Sequence, residues 1–195
     1  MERKTRTPAV LIVSLLIAAC AKAPETEPRQ EDIEAARAAA QRLGAALKSR
    51  LVEAISSQGP IAALEACSLE APGIAAHVSE AAGYEVSRTA LRVRNPMNAP
   101  DAWERMQLER LISAAEGGAD LRSLESSAIV VENDAAVFRW MKPIVMEGPC
   151  IICHGEQVAP DVRAKIDELY PQDAATGFRD GEIRGPFSVT RRICG

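Results

Sequence analysis

Positive charge is not in excess in this chain: 23 Lys and Arg stand against 27 Asp and Glu, a net charge of −4. Nucleic-acid affinity rests on cations set against phosphates, so that class of partner is excluded. Histidine is scarce. Only His77 and His154 occur, and no second Cys/His pair lies at zinc-site spacing, which removes a structural zinc reading. Glycine and proline, 12 each, are too few for a collagen-like chain, and 5 cysteines in 195 residues are too few for a disulfide-dense miniprotein. The strongest apolar run, AVLIVSLLIAA at residues 9–19, has eleven residues, whereas a membrane-spanning helix needs about 20. No internal repeat is present. What remains is 47% hydrophobic and rich in alanine, a composition that excludes an extended disordered chain and fits one or two globular domains with much helix.

The first thirty residues read as an address. Arg3, Lys4 and Arg6 outweigh Glu2 ahead of the apolar run, and its eleven residues match the core of a signal peptide. The run ends in Ile17-Ala18-Ala19-Cys20, which resembles a bacterial lipobox, where cleavage precedes the cysteine and its thiol takes up diacylglycerol. Residues 1–19 are therefore expected to be a lipoprotein signal peptide, Cys20 the lipid attachment, and residues 20–30, with Pro24 and Pro28, a tether. Loss of residues 1–19, which carry +2, takes the net charge from −4 to −6. A lipidated cysteine on a polar tether holds a protein to a membrane without spanning it. Ala21, in place of the aspartate that commonly retains such proteins at the inner membrane, directs the expectation to the periplasmic face of the outer membrane.

In the mature chain, residues 31–57 place Ile33, Ala36, Ala40, Leu43, Leu47, Leu51 and Ile55 at helical spacing, before Gln58-Gly59-Pro60. Residues 61–82 predict a second helix, interrupted at Ala71-Pro72-Gly73 and stopped by Gly83. The period then changes: over residues 84–94, Thr89, Leu91 and Val93 alternate with Arg88, Arg92 and Arg94, which predicts a strand with one apolar and one arginine face. Residues 95–100 form a loop, and Asp101 with Glu104 matches a capping box opening a helix that runs to Gly117-Gly118. Residues 128–131 and 136–146 predict an antiparallel hairpin turning at Glu132-Asn133-Asp134. A short helix over 160–170 and a strand over 187–191 complete an α+β domain, residues 31–195, with a mainly antiparallel sheet.

Chemistry concentrates at Cys150-Ile151-Ile152-Cys153-His154. This is C-x-x-C-H, the attachment sequence of haem c. Two thiols three residues apart can each add to a vinyl group on one porphyrin edge, and the next residue then delivers an imidazole beneath the iron. Covalent haem attachment takes place on the oxidising side of the membrane, where the signal peptide independently sends the chain. A thioredoxin-like C-x-x-C would follow a strand in a βαβ unit, and none is visible. A plain Cys150–Cys153 disulfide leaves His154 without a purpose. One covalently attached haem is the expected cofactor.

The common haem c architectures fit poorly. Small electron carriers bind haem near their N-terminus and use a downstream methionine, but no methionine follows His154. Four-helix cytochromes place the motif on their last helix, whereas about forty residues with three glycine-marked turns follow here. The chain instead resembles a family of exported c-type haem proteins with a PAS-like domain, long catalogued as a domain of unknown function. The resemblance rests on residues 88–101 (RTALRVRNPMNAPD), on residues 150–155, and on residues 170–177 (YPQDAATG) with Gly181, Gly185 and Ser188-Val189. Residues 64–67 (LEAC) and 71–75 (APGIA) agree as well. Ala90 departs from the serine expected there. The resemblance implies a PAS-like antiparallel sheet flanked by helices, here preceded by a long N-terminal helix.

The ligand opposite His154 decides the function. The resemblance implies Cys67 as a thiolate at that position; a Cys67–Cys194 disulfide, His77 or an open position are the alternatives. Met141 and Met146 read as core residues. A thiolate lowers the iron potential, and a vacant position admits a diatomic gas. Arg88 and Arg92, with Arg94, are candidates for pairing with haem propionates. No distal His/Arg pair of the peroxidase kind can be assigned, so an enzyme is not expected. The reading is a redox or small-ligand sensing module with an unidentified redox or signalling protein partner; the alternative is a single-electron carrier.

Overall fold

The computed structural model describes residues 26–193. Helix α1 (Gln30–Gln58) and helix α2 (Pro60–Ala82) form an antiparallel pair broken at Gly59-Pro60. They are followed by strand β1 (Glu85–Arg88), helix α3 (Ala102–Glu116), strands β2 (Ser126–Glu132) and β3 (Ala135–Val145), helix α4 (Ile151–His154), helix α5 (Pro160–Leu169) and strand β4 (Ile183–Ile193). The four strands make one antiparallel sheet in the order β1-β4-β3-β2. This is the α+β architecture expected, an antiparallel sheet flanked by helices and preceded by a long helix. Among the described residues no helix is long and apolar enough to cross a membrane.

The main core lies between α1 and one face of the sheet. Ala36, Ala39, Ala40 and Leu43 pack on Val86, Phe138, Trp140 and Val189, and Val78 of α2 closes the same cluster. The small residues of α1 let the helix approach the strands closely. One polar group is buried here. The Asp32 carboxylate, 2% exposed, accepts from Tyr84 Oη at 2.7 Å and from Arg29 Nε at 3.0 Å, and it pairs with Arg191. That network ties the start of α1 to β4. The opposite sheet face is covered at one end only, where Leu108 and Leu111 of α3 pack on Met141.

The hairpin and the capping box are as predicted: Asn133 and Asp134 adopt φ of 49° and 62°, the primed turn that matches strand twist, and Asp101 and Glu104 cap α3 reciprocally. Two expectations are corrected. Helix α2 is not interrupted at Pro72. Pro72 and Gly73 are exposed, and burial of Leu64, Ala71 and Val78 on either side holds the helix across the missing N–H. Gly83 then ends it in the left-handed conformation, φ 69°.

The strand expected over residues 84–94 stops at Arg88. The Thr89 N–H donates to the Pro186 carbonyl at 3.1 Å, but Pro186 has no N–H to return, so the ladder cannot continue. Beside it the Thr89 carbonyl lies 2.2 Å from where a Cβ on Gly185 would sit, a crossing only glycine permits. Arg88, Arg92 and Arg94 therefore do not share a strand face. Arg88 ends β1, and the chain then leaves the sheet and carries Arg92 and Arg94 past the cysteine motif.

Candidate functional site

The C-x-x-C-H sequence forms a 3₁₀ turn, Gly148–Cys150, running into α4. Its backbone is stitched to the segment before β4. The Phe178 N–H donates to the His154 carbonyl at 3.0 Å and the Gly177 N–H to the Gly155 carbonyl at 2.9 Å. The two thiols face different surroundings. Cys150 packs with Met146, Ala175 and Phe178, while Cys153 is buried with Leu64 of α2 and Val162 and Ile166 of α5. Burial pushes the Cys153 thiol up, with Arg94 opposing.

His154 Nδ1 lies 2.6 Å from the Ala175 carbonyl. A carbonyl only accepts, so Nδ1 carries the hydrogen and Nε2 is left with its lone pair. Burial, and then the charges of Arg184 and Arg94, push the imidazole down to about 3 against the help of the Ala175 carbonyl. The ring is neutral at physiological pH, the form in which an imidazole binds a metal. Phe178 meets it edge-on at 6.5 Å.

Four guanidiniums surround this point. Arg94 donates to the Cys153 carbonyl at 2.7 Å and pairs with buried Asp173 at 2.8 Å. Arg92 stacks 3.8 Å over Phe178, and Arg184 stacks on the same ring at 5.3 Å while donating to the Arg92 carbonyl. Burial pulls Arg184 down to about 10, with Arg94 and Arg88 adding to the shift. Burial also lowers Arg88, and among the described residues that guanidinium has no carboxylate partner. Asp173 is thus the main counter-charge to four cations, an imbalance that leaves room for an anion.

Cys67 sits on α2 one turn after Leu64, on the face that packs against Cys153. Burial pushes its thiol up, and Arg88 is the strongest influence the other way. The partly buried Tyr170 hydroxyl, hydrogen-bonded to Ser68, interacts electrostatically with Arg94, Cys67 and Arg88. The structure therefore brings Cys67, Cys150, Cys153, His154, Arg88, Arg92 and Arg94 into one region. His77 is exposed on α2, about 15 Å along the helix axis from Cys67, and is not part of it. Met141 and Met146 are core residues, as expected. Cys20 and Cys194, and with them the lipid attachment and the Cys67–Cys194 pairing, lie outside the described residues.

Arg184 and Phe178 were not singled out by sequence reasoning, and Tyr170 and Ala175, though within the 170–177 stretch that carries the resemblance, were given no role there. Arg184 stands directly before Gly185-Pro186, at the register shift between the Ile144–Gly185 and Val145–Ile183 pairs, where it has no partner across the ladder; locally it reads as any other cation. No curated protein matches the chain. Among solved structures, its fold is similar to that of the "Crystal structure of the cyanobacterial heme-protein Tll0287", with a TM-score of 0.62 and 23% identity over 86% of this chain and 98% of that one. The sequence profile of the Tll0287-like family matches residues 22–191, and the chain belongs to that family.

Proposed function

We propose that this chain is a haem protein carrying one covalently attached haem c, tethered by a lipid on Cys20 in the periplasm. It would act as a redox or small-ligand sensing module. The observation that carries the reading is the His154 imidazole: neutral, oriented by the Ala175 carbonyl, and next in sequence to two thiols one helical turn apart. Cys150 and Cys153 would take the vinyl groups, His154 Nε2 the iron, and Arg88, Arg92 and Arg184 the propionates, which supply the anionic charge that the guanidinium cluster lacks. Cys67, on the α2 face turned to Cys153, would stand opposite His154. When bound, the iron supplies one-electron chemistry whose potential a thiolate depresses. The family relative named above, a heme-protein, supports the same cofactor class.

A redox-dependent exchange of Cys67 at the iron, or its displacement by a diatomic gas, is the signal this reading requires, with a separate protein partner receiving it. Electron carriage is the second reading, favoured by Ile152, which is 37% exposed and places the motif at the surface. Expression with c-type maturation machinery tests both. The mature chain should gain the mass of one haem and a Soret band, and Cys150→Ala with Cys153→Ala should lose both. Cys67→Ser should change the EPR spectrum of the oxidised form; an unaltered spectrum removes the thiolate. Ferrous protein that ignores CO and keeps its ligands in both oxidation states would favour the carrier.

A further inference from the structure

Residues 173–177, which meet the cysteine motif, are neither helix nor strand. A helix or a ladder sets the direction of its own carbonyls, whereas an irregular segment needs other partners to do so. Here the direction of one carbonyl matters. Ala175 accepts from His154 Nδ1, and that bond decides which ring nitrogen is left bare.

Arg94 and Asp173 supply the missing constraint. The Asp173 side chain is 0% exposed, and its Oδ1 accepts from the Ala175 N–H at 3.2 Å and from Arg94 Nε at 2.8 Å. Arg94 Nη2 donates to the Cys153 carbonyl at 2.7 Å and lies 3.4 Å from the Ala175 carbonyl. The Val93 carbonyl accepts from the Ala174 N–H at 2.9 Å, which holds the two segments side by side. These bonds close a circuit. It leaves the motif at Cys153, passes through Arg94, Asp173 and Ala175, and returns to the motif at His154. A guanidinium suits the task because its planar fork spans two acceptors at a fixed angle. With Nε and Nη2 so engaged, Arg94 turns its fork to the protein instead of to a propionate.

We propose that Arg94 and Asp173 are positioning residues that fix the tautomer of His154 through Ala175, and with it the potential of the iron. The proposal rests on the reading of His154 as the iron ligand. An imidazole whose Nδ1–H is firmly accepted is the more basic ligand and favours the ferric ion. Loosening the circuit weakens that bond. The ring then takes up the other tautomer in the haem-free chain, and the potential of the haem-loaded chain rises.

Arg94→Gln combined with Asp173→Asn removes the ion pair at constant net charge, so a change in local charge does not mask the effect. In the haem-free chain with reduced thiols, nitrogen NMR of labelled histidine reads the tautomer, with His77→Gln as background so that one imidazole is seen. The double variant should lower the ratio of Nδ1–H to Nε2–H form about fivefold or more. In the haem-loaded chain it should raise the ferrous-to-ferric ratio at a fixed solution potential about tenfold, ~59 mV for one electron. Arg94→Lys keeps the charge beside Asp173 but has one nitrogen for two acceptors. It should move both readings the same way by less, and it serves if the double variant does not fold. A purely structural role would lower the Tm and leave both readings where they were. An unchanged tautomer ratio overturns the proposal, and so does an unchanged potential. A wild-type chain that takes up no haem counts against the haem reading instead, and the tautomer ratio then decides this one.

Discussion

Asp32 shows how much a single residue can hide from its sequence. It stands in the first turn of α1, where an acidic side chain suits the helix dipole and faces water; instead it is buried against Tyr84 and Arg191. Burial raises its carboxyl, but the Tyr84 and Arg29 hydrogen bonds and the Arg191 charge outweigh that and hold it below 3.8. Asp32→Asn should lower the unfolding free energy by about 3 kcal/mol at pH 7, since it strands Arg191 and leaves Tyr84 a weaker acceptor. A depressed carboxyl stabilises the fold above its unfolded value and loses that effect as pH falls through the folded one. Denaturant unfolding at pH 7 and below pH 4 should therefore show the gap between wild type and Asp32→Asn shrink in acid. Tyr84 gives the opposite edge. Burial, then the Asp32 bond, pushes its hydroxyl up to about 12, so its contribution is complete below pH 10 and falls away as pH rises from 10 to 12.

Arg184 is a second case. The surrounding cations make it a burden without an anion beside it and an anchor with one. Arg184→Gln should raise the Tm of the haem-free Cys150→Ala, Cys153→Ala chain and lower that of the haem-loaded chain. The same sign in both, read by thermal unfolding, would remove the propionate role.

Among the elements, the short β1 matters most to the site. Alternation of Thr89, Leu91 and Val93 with arginines is a sound strand pattern, yet the partner strand offers proline and glycine where the ladder would continue. Which strand would lie beside residues 89–94 is not a local property, so the period alone misled. Departure from the sheet lets Arg92 and Arg94 reach the 173–178 segment. Gly185→Ala would drive a Cβ into the Thr89 carbonyl. It should destabilise the chain by about 3 kcal/mol and lower the yield of haem attachment, measured by Tm and by the Soret-to-protein absorbance ratio. By contrast α1, α3 and the β2–β3 hairpin were legible, because helical spacing, a capping box and a turn sequence are written within a few residues of one another.

At the scale of the molecule, the sheet separates two regions: the α1 and α2 side carries the core, and the opposite face is covered at one end only, by α3. The cysteine motif sits where α2, α5, residues 88–94 and residues 173–184 meet, so the site draws on segments more than a hundred residues apart. Export belongs to this scale too. With residues 1–19 removed and Cys20 lipidated, the chain should partition with membranes and incorporate labelled palmitate. Cys20→Ser should abolish the label and release the protein into the soluble fraction, with haem content unchanged.

The sequence by itself determined the chemistry on offer: two thiols and an imidazole at a spacing that admits one porphyrin, the class of fold, and an address outside the cytoplasm as an expectation. These are local facts, legible because covalent reach, helical period and hydrophobic length act over a few residues. Only the tertiary structure decided which nitrogen of His154 is free, that Arg184 joins the arginines, and that His77 stands apart. Each depends on residues brought together across long loops, where packing rather than neighbouring sequence sets what a side chain meets.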